Sequence, residues 1–508
     1  MAQRHSTPIR GLMSTKHSPL FQGRFGRLFR SLPAARFGAS DAESVKNLAL
    51  LGDKMSAGFD PPTDGKDPEE SGIPALYTYF GQFIDHDLTF DPASSLQKQD
   101  DPDALTDFRT PAFDLDNIYG RGPDDQPYMY DSDGKSFLLG NPLTGGDPRA
   151  TDLPRNSAAR ARALIGDPRN DENTIVSQLQ GLFHRFHNRT VKDHPTLSFE
   201  QIQKRVRFHY QYVILHDFLP RIVQAEVLND LKTHGRFEKG NLKFFHWKDE
   251  PFMPVEFSVA CYRFGHSMIR PGYRLNDDDS TLLPIFTTDD AVKAGFKDDL
   301  QGFRAVVPNR AIDWGRFIDI DNRVYDGTDA QNKKRLQFAY RIDTSLVDPL
   351  SNLPAVVAAN PSSLAQRNLE RSFRLGLPSA QQVAHAMGVK PMDDKDILIG
   401  KGVDKQDPSD PPIISIDQVS PVFKDNCPLW TYILAEALKN QIKVQIPVKE
   451  KITITTPQLG PVGGRIVAKV FLGLMFGDNH SLLSMQPGWQ PEHTPYALKD
   501  FVNYALGN

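Results

Sequence analysis

A histidine set between two aspartates, with a glutamine four residues upstream, makes a poor core segment and a good reaction site: Gly81-Gln82-Phe83-Ile84-Asp85-His86-Asp87. The histidine is the residue whose ordinary pKa lets it take and return a proton near neutrality. Around it, apolar residues at Ile73, Leu76, Tyr77, Phe80, Phe83, Ile84 and Leu88 recur at three-to-four spacing, which predicts an amphipathic helix with one buried stripe. On such a helix Gln82, Asp85 and His86 project from one face, and Asp87 is turned away by roughly 100°. One helix can therefore serve two sites. An isolated Asp-His-Asp is more often a satisfied, partly buried histidine beside a solvated edge; four other segments shift that balance.

Gly166-Asp167-Pro168-Arg169-Asn170-Asp171-Glu172-Asn173 leads into the helical pattern Ile175, Leu179, Leu182, Phe183, Phe186. Capping accounts for Asp171 or Asn173. It does not account for Arg169 and Glu172, a cation and a carboxylate three apart at a helix entrance. In Val259-Ala260-Cys261-Tyr262-Arg263-Phe264-Gly265-His266, closed by Pro271, Arg263 and His266 share a helical face. Asn368 and Arg371 stand three apart in Asn368-Leu369-Glu370-Arg371. In Thr110-Pro111-Ala112-Phe113-Asp114-Leu115-Asp116, oxygen-bearing residues alternate, so an extended segment points them to one side. A hard cation such as calcium, which takes six to eight oxygen ligands, is wrapped in this way.

Together these segments resemble the animal-type haem peroxidases of the peroxidase–cyclooxygenase superfamily, with a texture closer to its bacterial members. The motifs occur in the family's order, with Leu153-Pro154-Arg155, His187-Asn188-Arg189 and Phe218-Leu219-Pro220 between them, and the resemblance covers roughly residues 18 to 490. It implies a mainly α fold: one large helical domain over 41–508 with few short strands, preceded by a basic arm over 1–40. It also implies His86 as distal histidine, Gln82 as distal glutamine and Arg169 as distal arginine, with His266 as proximal iron ligand and Asn368 accepting from its other ring nitrogen. Asp85 and Glu172 occupy the positions that become ester-linked to haem methyls. Asn173 stands where some members carry a methionine bonded to a vinyl group, so that third link is not expected. Arg263 and Arg371 would face the haem propionates. Asp87, Thr110, Asp114, Asp116 and the Ala112 carbonyl match the family's calcium site, which often has serine in place of Asp116 and another residue in place of Ala112.

The cofactors implied are a haem b derivative and calcium, and the partners are hydrogen peroxide and a halide, thiocyanate or small aromatic donor. Two other functions stand beside this one. The first is a haem fatty-acid dioxygenase of the same superfamily, in which a tyrosine three residues before the proximal histidine forms the reactive radical. Here that place is Arg263, with Tyr262 one residue earlier and swung by roughly 100° on a helix. The second is an interaction protein that keeps the fold and has lost the chemistry; retention of His86, Arg169, His266 and Asn368 argues against it.

The rest of the chain bounds these readings. A net charge of −4 carries no nucleic-acid signature, and no apolar run approaches the ~20 residues of a membrane span. Cys261 and Cys427 form no CxxC pair and exclude a disulfide framework, which points weakly to a reducing compartment. Arg4, Arg10, Lys16, Arg24, Arg27, Arg30 and Arg36 precede the first acid, Asp41, without the apolar stretch of a secretory signal, which leaves a cytoplasmic location or export by a non-classical route. A membrane-binding or targeting arm is one reading of this stretch. Packing of Phe21, Phe25, Leu28, Phe29 and Leu32 onto the domain is the favoured one. Gly58 to Gly72 and Gln406 to Pro421 read as loops, and the alternation at Val444, Ile446, Val448, Ile452 and Ile454 predicts a hairpin. His184 and His187 suggest a metal pair but lack matching partners and read as structural. Asp277-Asp278-Asp279 reads as a solvated loop, and Gly460 to Arg465 as a helix entrance.

Overall fold

In the computed structural model, which describes residues 23–90, 106–107, 109–159, 161–248, 250–355, 357–358, 360–406, 408 and 410–507, five helices of the first half frame the segment around His86. They are α1 (Asp41–Lys54), α2 (Leu76–Leu88), α3 (Asp116–Tyr119), α4 (Thr174–Asp193) and α5 (Phe199–Val213). Further helices at Leu364–Arg374, Leu429–Lys439, Gly463–Gly477 and Leu498–Leu506 complete a mainly helical single domain. The strands described are short and fall into one three-stranded and five two-stranded sheets. No described helix is long and apolar enough to cross a membrane.

Pro74 decides where α2 begins. Ile73, predicted as helical, lies in the strand Glu70–Pro74, which pairs antiparallel with Phe338–Tyr340. A proline lacks the amide hydrogen and turns the preceding residue away from helical backbone. From Leu76 onward the apolar stripe is buried as its spacing requires, and Phe83 stacks on Phe183 of α4 with centroids 4.3 Å apart. Gly81 permits a close approach, since a Cβ there would meet the Phe218 ring at 3.3 Å.

An ion network fastens the start of α2 to the chain just beyond His266. The buried Glu70 carboxylate accepts from Arg270 and Arg335, each at 2.6 Å, and from the Tyr325 hydroxyl at 2.7 Å, while Asp67 lies 3.2 Å from Arg270. Paired and hydrogen-bonded in this way, the buried charges offset their desolvation and fix the register of three distant segments.

The basic arm is built into this frame where it is described. Gly23–Gly26 pairs antiparallel with Thr106–Asp107 and parallel with Met253–Pro254, and Phe25 and Phe29 are buried. Arg27 donates to the carbonyls of Leu375 and Gly376, at the end of the helix that carries Asn368, where a cation also suits the helix dipole. Arg4, Arg10, Lys16 and Phe21 lie outside the described residues.

Elsewhere the predicted hairpin forms, Gln441–Gln445 against Thr453–Pro457, and abuts the strand before α2 through a 2.7 Å bond from Gly72 N to Thr456 Oγ1. Gly463–Gly477 starts where a helix entrance is predicted. The break at 406–421 holds more structure than expected, a strand at Ile414–Ser415 and a helical turn at Ile416–Val419. Asp277 is not simply solvated, because it accepts from Arg316 at 2.6 Å and Arg323 at 3.1 Å.

Candidate active site

α2 delivers its polar groups in two directions, as its spacing predicts. His86 is 4% exposed, and its Nδ1 lies 2.7 Å from Asn170 Oδ1. That leaves Nε2, 3.6 Å from the Glu172 carboxylate, as the nitrogen free to act. Gln82 donates to Glu172 and stands 3.4 Å from Asn173 Nδ2. Burial, partly offset by His86 and Arg169, raises the pKa of Glu172. Asp85, one turn below Gln82, accepts from Thr89 Oγ1 at 3.3 Å. Gln82 and His86 thus both face Glu172, and Asp85 is near enough for its charge to act on that carboxyl.

The segment that carries Arg169 is a short 3-10 turn, Pro168–Asp171, capped by Asp167, and α4 follows with Asn173 as its cap, accepting from Ile175 N and Val176 N. Arg169 is more tethered than its sequence context suggests. Its Nη2 donates to the carbonyls of His86 (3.0 Å) and Thr89 (2.6 Å) and to Asp167 (2.7 Å), and its guanidinium lies 4.6 Å over the Phe90 ring. Nη1 is the arm without a hydrogen bond to the described residues. Burial works against ionisation of Asp167, but Arg109 and Arg169 outweigh it and hold its carboxyl far below the usual range.

His266 does not lie on an α-helix as predicted. Cys261–His266 is 3-10 helical, a form in which i and i+3 eclipse, so Arg263 and His266 remain on one side. The bulky Tyr262 and Phe264 pack between α2 and the core, and Tyr262 donates to the Gly81 carbonyl at 3.2 Å. Trp430 Nε1 in turn donates to the Arg263 carbonyl at 3.2 Å. Burial, with Arg263 adding to it, lowers the His266 pKa to about 3, so the ring is neutral. Its Nδ1 lies 2.9 Å from Asn368 Nδ2. This reverses the expected polarity, because the amide nitrogen rather than the oxygen faces the ring. Asn368 makes no other side-chain hydrogen bond to the described residues, so a half-turn of the amide restores the accepting form at little cost. Nε2 of His266 has no partner among the described residues, and a Cβ placed on Gly265 would meet nothing within 4 Å. A neutral imidazole with one nitrogen held and the other facing open space fits an axial haem ligand. Arg371 lies one turn beyond Asn368 on the same helix.

On the other side of α2, carboxylate oxygens of Asp87, Asp114 and Asp116 lie within 4.8 Å of one another. Burial first, and then the neighbouring carboxylates, push Asp87 and Asp114 well above the ordinary range. Asp87 accepts from Tyr210 at 3.1 Å, yet Asp87 Oδ1 and Asp116 Oδ1 are buried without a hydrogen bond among the described residues. Such a set fits a hard cation, which would satisfy oxygens that the protein leaves bare. Thr110 and Ala112 lie on the same loop, which Leu115 turns through a left-handed φ of 63°.

A profile of the animal haem peroxidase family matches residues 96–307, a span that includes the acidic loop, Arg169, Glu172 and His266. The matched segment, less than half of the chain, is similar to an animal haem peroxidase domain. Thyroid peroxidase of Sus scrofa is 29% identical over 153 residues, 28% of this chain and 16% of that protein. The aligned parts of the curated relatives cover 7%, 16% and 24% of their own lengths, so this chain corresponds to a minor part of each. In fold it is similar to Peroxidase A from Dictyostelium discoideum, with a TM-score of 0.55 and 16% identity over 92% of this chain and 89% of that one. It is also similar to the fatty acid alpha-dioxygenase of Oryza sativa, with a TM-score of 0.51 and 15% identity over 90% and 78%.

The pair His184 and His187 serves structure rather than a metal. His187 bonds Tyr119 (3.0 Å) and the Lys135 carbonyl (2.9 Å), and His184 stacks on Phe137. Sequence reasoning missed Asn170, Gln180, Arg109 and Tyr210. The only signal was that Gln180 and His184 stand four apart on α4, where they face each other.

Proposed function

We propose that this chain is a haem peroxidase that spends hydrogen peroxide on halides, thiocyanate or small aromatic donors. The observation that carries the reading is the complementary state of two histidines on linked segments: His266 has Nδ1 engaged and Nε2 open, and His86 has Nδ1 engaged and Nε2 facing Glu172. Haem iron at His266 would bind the peroxide and take up its oxidising equivalents. His86 Nε2 takes the proton from the bound peroxide and returns it to the departing oxygen. Arg169, held in place by Asp167, presents its free Nη1 to the charge that develops there. Gln82 orients Glu172; Asp85 and Glu172 would hold the haem through its methyl groups, and Arg263 and Arg371 would pair with its propionates. Asn368, once its amide has made the half-turn that brings its oxygen to the ring, would keep the Nδ1 proton on His266 and so leave Nε2 as the donor.

The test is the absorption spectrum of the purified, haem-supplied protein before and after stoichiometric peroxide. Wild type is expected to bind haem and change on peroxide addition, whereas His266→Ala loses most of its haem because the axial ligand is gone. Full occupancy with an unaltered spectrum in His266→Ala would remove the axial assignment. The dioxygenase reading draws on the fold shared with the rice enzyme. Against it, Arg263 holds the position three residues before His266, and the Tyr262 hydroxyl is spent on the Gly81 carbonyl. Oxygen uptake driven by a fatty acid, and lost in Tyr262→Phe, would favour that reading instead. A chain that binds no haem would favour the interaction protein.

We further propose calcium at Asp87, Asp114 and Asp116, with oxygens from Thr110 and the Ala112 carbonyl. Because Asp87 adjoins His86, the ion would fix the end of α2 that carries the base. Asp114→Ala is expected to lower the melting temperature and the peroxide reaction together. Elemental analysis that finds no calcium in active wild-type protein would refute this assignment.

A further inference from the structure

The hydrogen bond that occupies His86 Nδ1 does not end at Asn170. Asn170 Nδ2 donates to Gln180 Oε1 at 2.7 Å, and Gln180 Nε2 lies 2.9 Å from His184 Nε2. All four side chains are buried, Asn170 and Gln180 completely. Three elements are joined in this way: α2 supplies His86, the 3-10 turn Pro168–Asp171 supplies Asn170, and α4 supplies Gln180 and His184 one turn apart. No carboxylate takes part.

A chain of amides between two imidazoles can run in one of two directions. In the direction found here, each amide nitrogen donates away from α2: His86 Nδ1–H to Asn170, Asn170 to Gln180, and Gln180 to the lone pair on His184 Nε2. His184 must then carry its proton on Nδ1, which has no acceptor among the described residues. In the reverse direction His184 donates from Nε2, both amides turn over, and Asn170 donates to His86 Nδ1, which forces the His86 proton onto Nε2. Either way His184 Nδ1 stays unmatched, so the difference falls on His86. Only the first direction leaves Nε2 as a lone pair facing the pocket.

His184 is suited to end such a chain. Burial, and then His187, lowers its pKa to about 3, so it does not acquire a second proton and cannot donate at both nitrogens. Its ring lies flat on Phe137, with centroids 4.3 Å apart and planes 9° apart, so it cannot turn without breaking that stack. The chain works against one opposing influence, the Glu172 carboxylate, which would draw a proton to Nε2. At 3.6 Å that contact is too long for a hydrogen bond, whereas the three bonds in series are 2.7, 2.7 and 2.9 Å.

We propose that Asn170, Gln180 and His184 are positioning residues that hold His86 in the Nδ1–H tautomer, so that Nε2 is permanently ready to accept the peroxide proton. This rests on the reading of His86 as the base. The chain also fixes the ring's rotation, because a turn about either side-chain bond of His86 would leave the buried Asn170 Oδ1 without its donor.

The test separates the chain from the base. With nitrogen-isotope-labelled histidine in the full chain without haem, read at about pH 8.5 where an ordinary imidazole is neutral, His86 and His184 should each show a protonated Nδ1 and an unprotonated Nε2. Asn170→Leu should lose that pattern at His86, Asn170→Asp should keep it because an acceptor oxygen remains, and His184→Phe should weaken it while leaving Asn170 in place. In the haem-loaded protein, Asn170→Leu should slow the peroxide-driven spectral change about 10–100-fold with haem content unchanged, and Asn170→Asp should restore most of the rate. A proton on Nε2 of wild-type His86, or a wild-type tautomer and rate in both Asn170→Leu and His184→Phe, overturns the proposal. A normal rate in His86→Ala would remove the base assignment instead, while the tautomer readout still decides whether the chain sets the ring.

Discussion

Exposed to hydrogen peroxide and then extracted with acidic organic solvent, the wild-type protein is expected to keep its haem on the polypeptide. Asp85 directly precedes His86, and Glu172 reaches within 3.6 Å of its ring, so both carboxylates border the space assigned to the haem. Joining a carboxylate to a haem methyl removes one proton and two electrons and forms one carbon–oxygen bond. One molecule of peroxide, reduced to two molecules of water, accepts those electrons, so each link consumes one peroxide. Mass spectrometry should find haem on the peptides that contain Asp85 and Glu172. It should find none on Asn173, whose side chain is occupied in capping α4. Asp85→Val combined with Glu172→Gln should release the haem completely, and either substitution alone should leave one link. Complete release from treated wild-type protein would end the ester assignment and leave the axial and distal assignments standing.

His86→Ala is expected to bind haem normally and to react with peroxide about 10²–10⁴-fold more slowly, the usual loss when a positioned acid–base group is removed. Arg169→Ala should fall in the same direction with a second consequence. Its guanidinium also bonds the carbonyls of His86 and Thr89 at the end of α2 and neutralises Asp167, so this variant should also be less stable to heat. Arg169→Lys separates the two roles, since a lysine keeps the charge but cannot reach two carbonyls and a carboxylate with one planar fork. Stopped-flow traces indistinguishable from wild type in both alanine variants would mean that another residue moves the proton.

The parts of this molecule that could be read from the sequence are those fixed by short-range periodicity. The stripe of α2, the Asn173 cap, the hairpin at 441–457 and the start of the helix at Gly463 each depend on residues within a few positions of one another, and each is where its pattern places it. Boundaries shifted where a local rule met a tertiary one. Ile73 is apolar and in phase with the helix, but Pro74 and pairing with Phe338–Tyr340 place it in a strand. The segment at Cys261–His266 winds more tightly than an α-helix, with the Tyr262 hydroxyl and the Arg263 carbonyl both tied to other elements. What stayed hidden joins residues far apart in sequence. Glu70 meets Arg270 and Arg335 across 200 and 265 positions. Asn170 sits in a run of polar residues at a helix entrance, where every side chain reads as a cap, so its bond to His86 leaves no local trace.

The 276 positions from Leu88, the end of α2, to Leu364, the start of the helix that carries Asn368, bear on how the protein comes to be made. A ribosome adds roughly 5–20 residues per second, so α2 emerges roughly 15–55 s before the helix whose Asn368 meets the His266 imidazole. Throughout that interval the nascent polypeptide holds His86 and the acidic loop but not an anchored His266 ring. If His266 is the haem ligand proposed above, cofactor capture would close biogenesis rather than nucleate the domain, and haem supply would govern how long the finished chain stays within reach of chaperones and proteases.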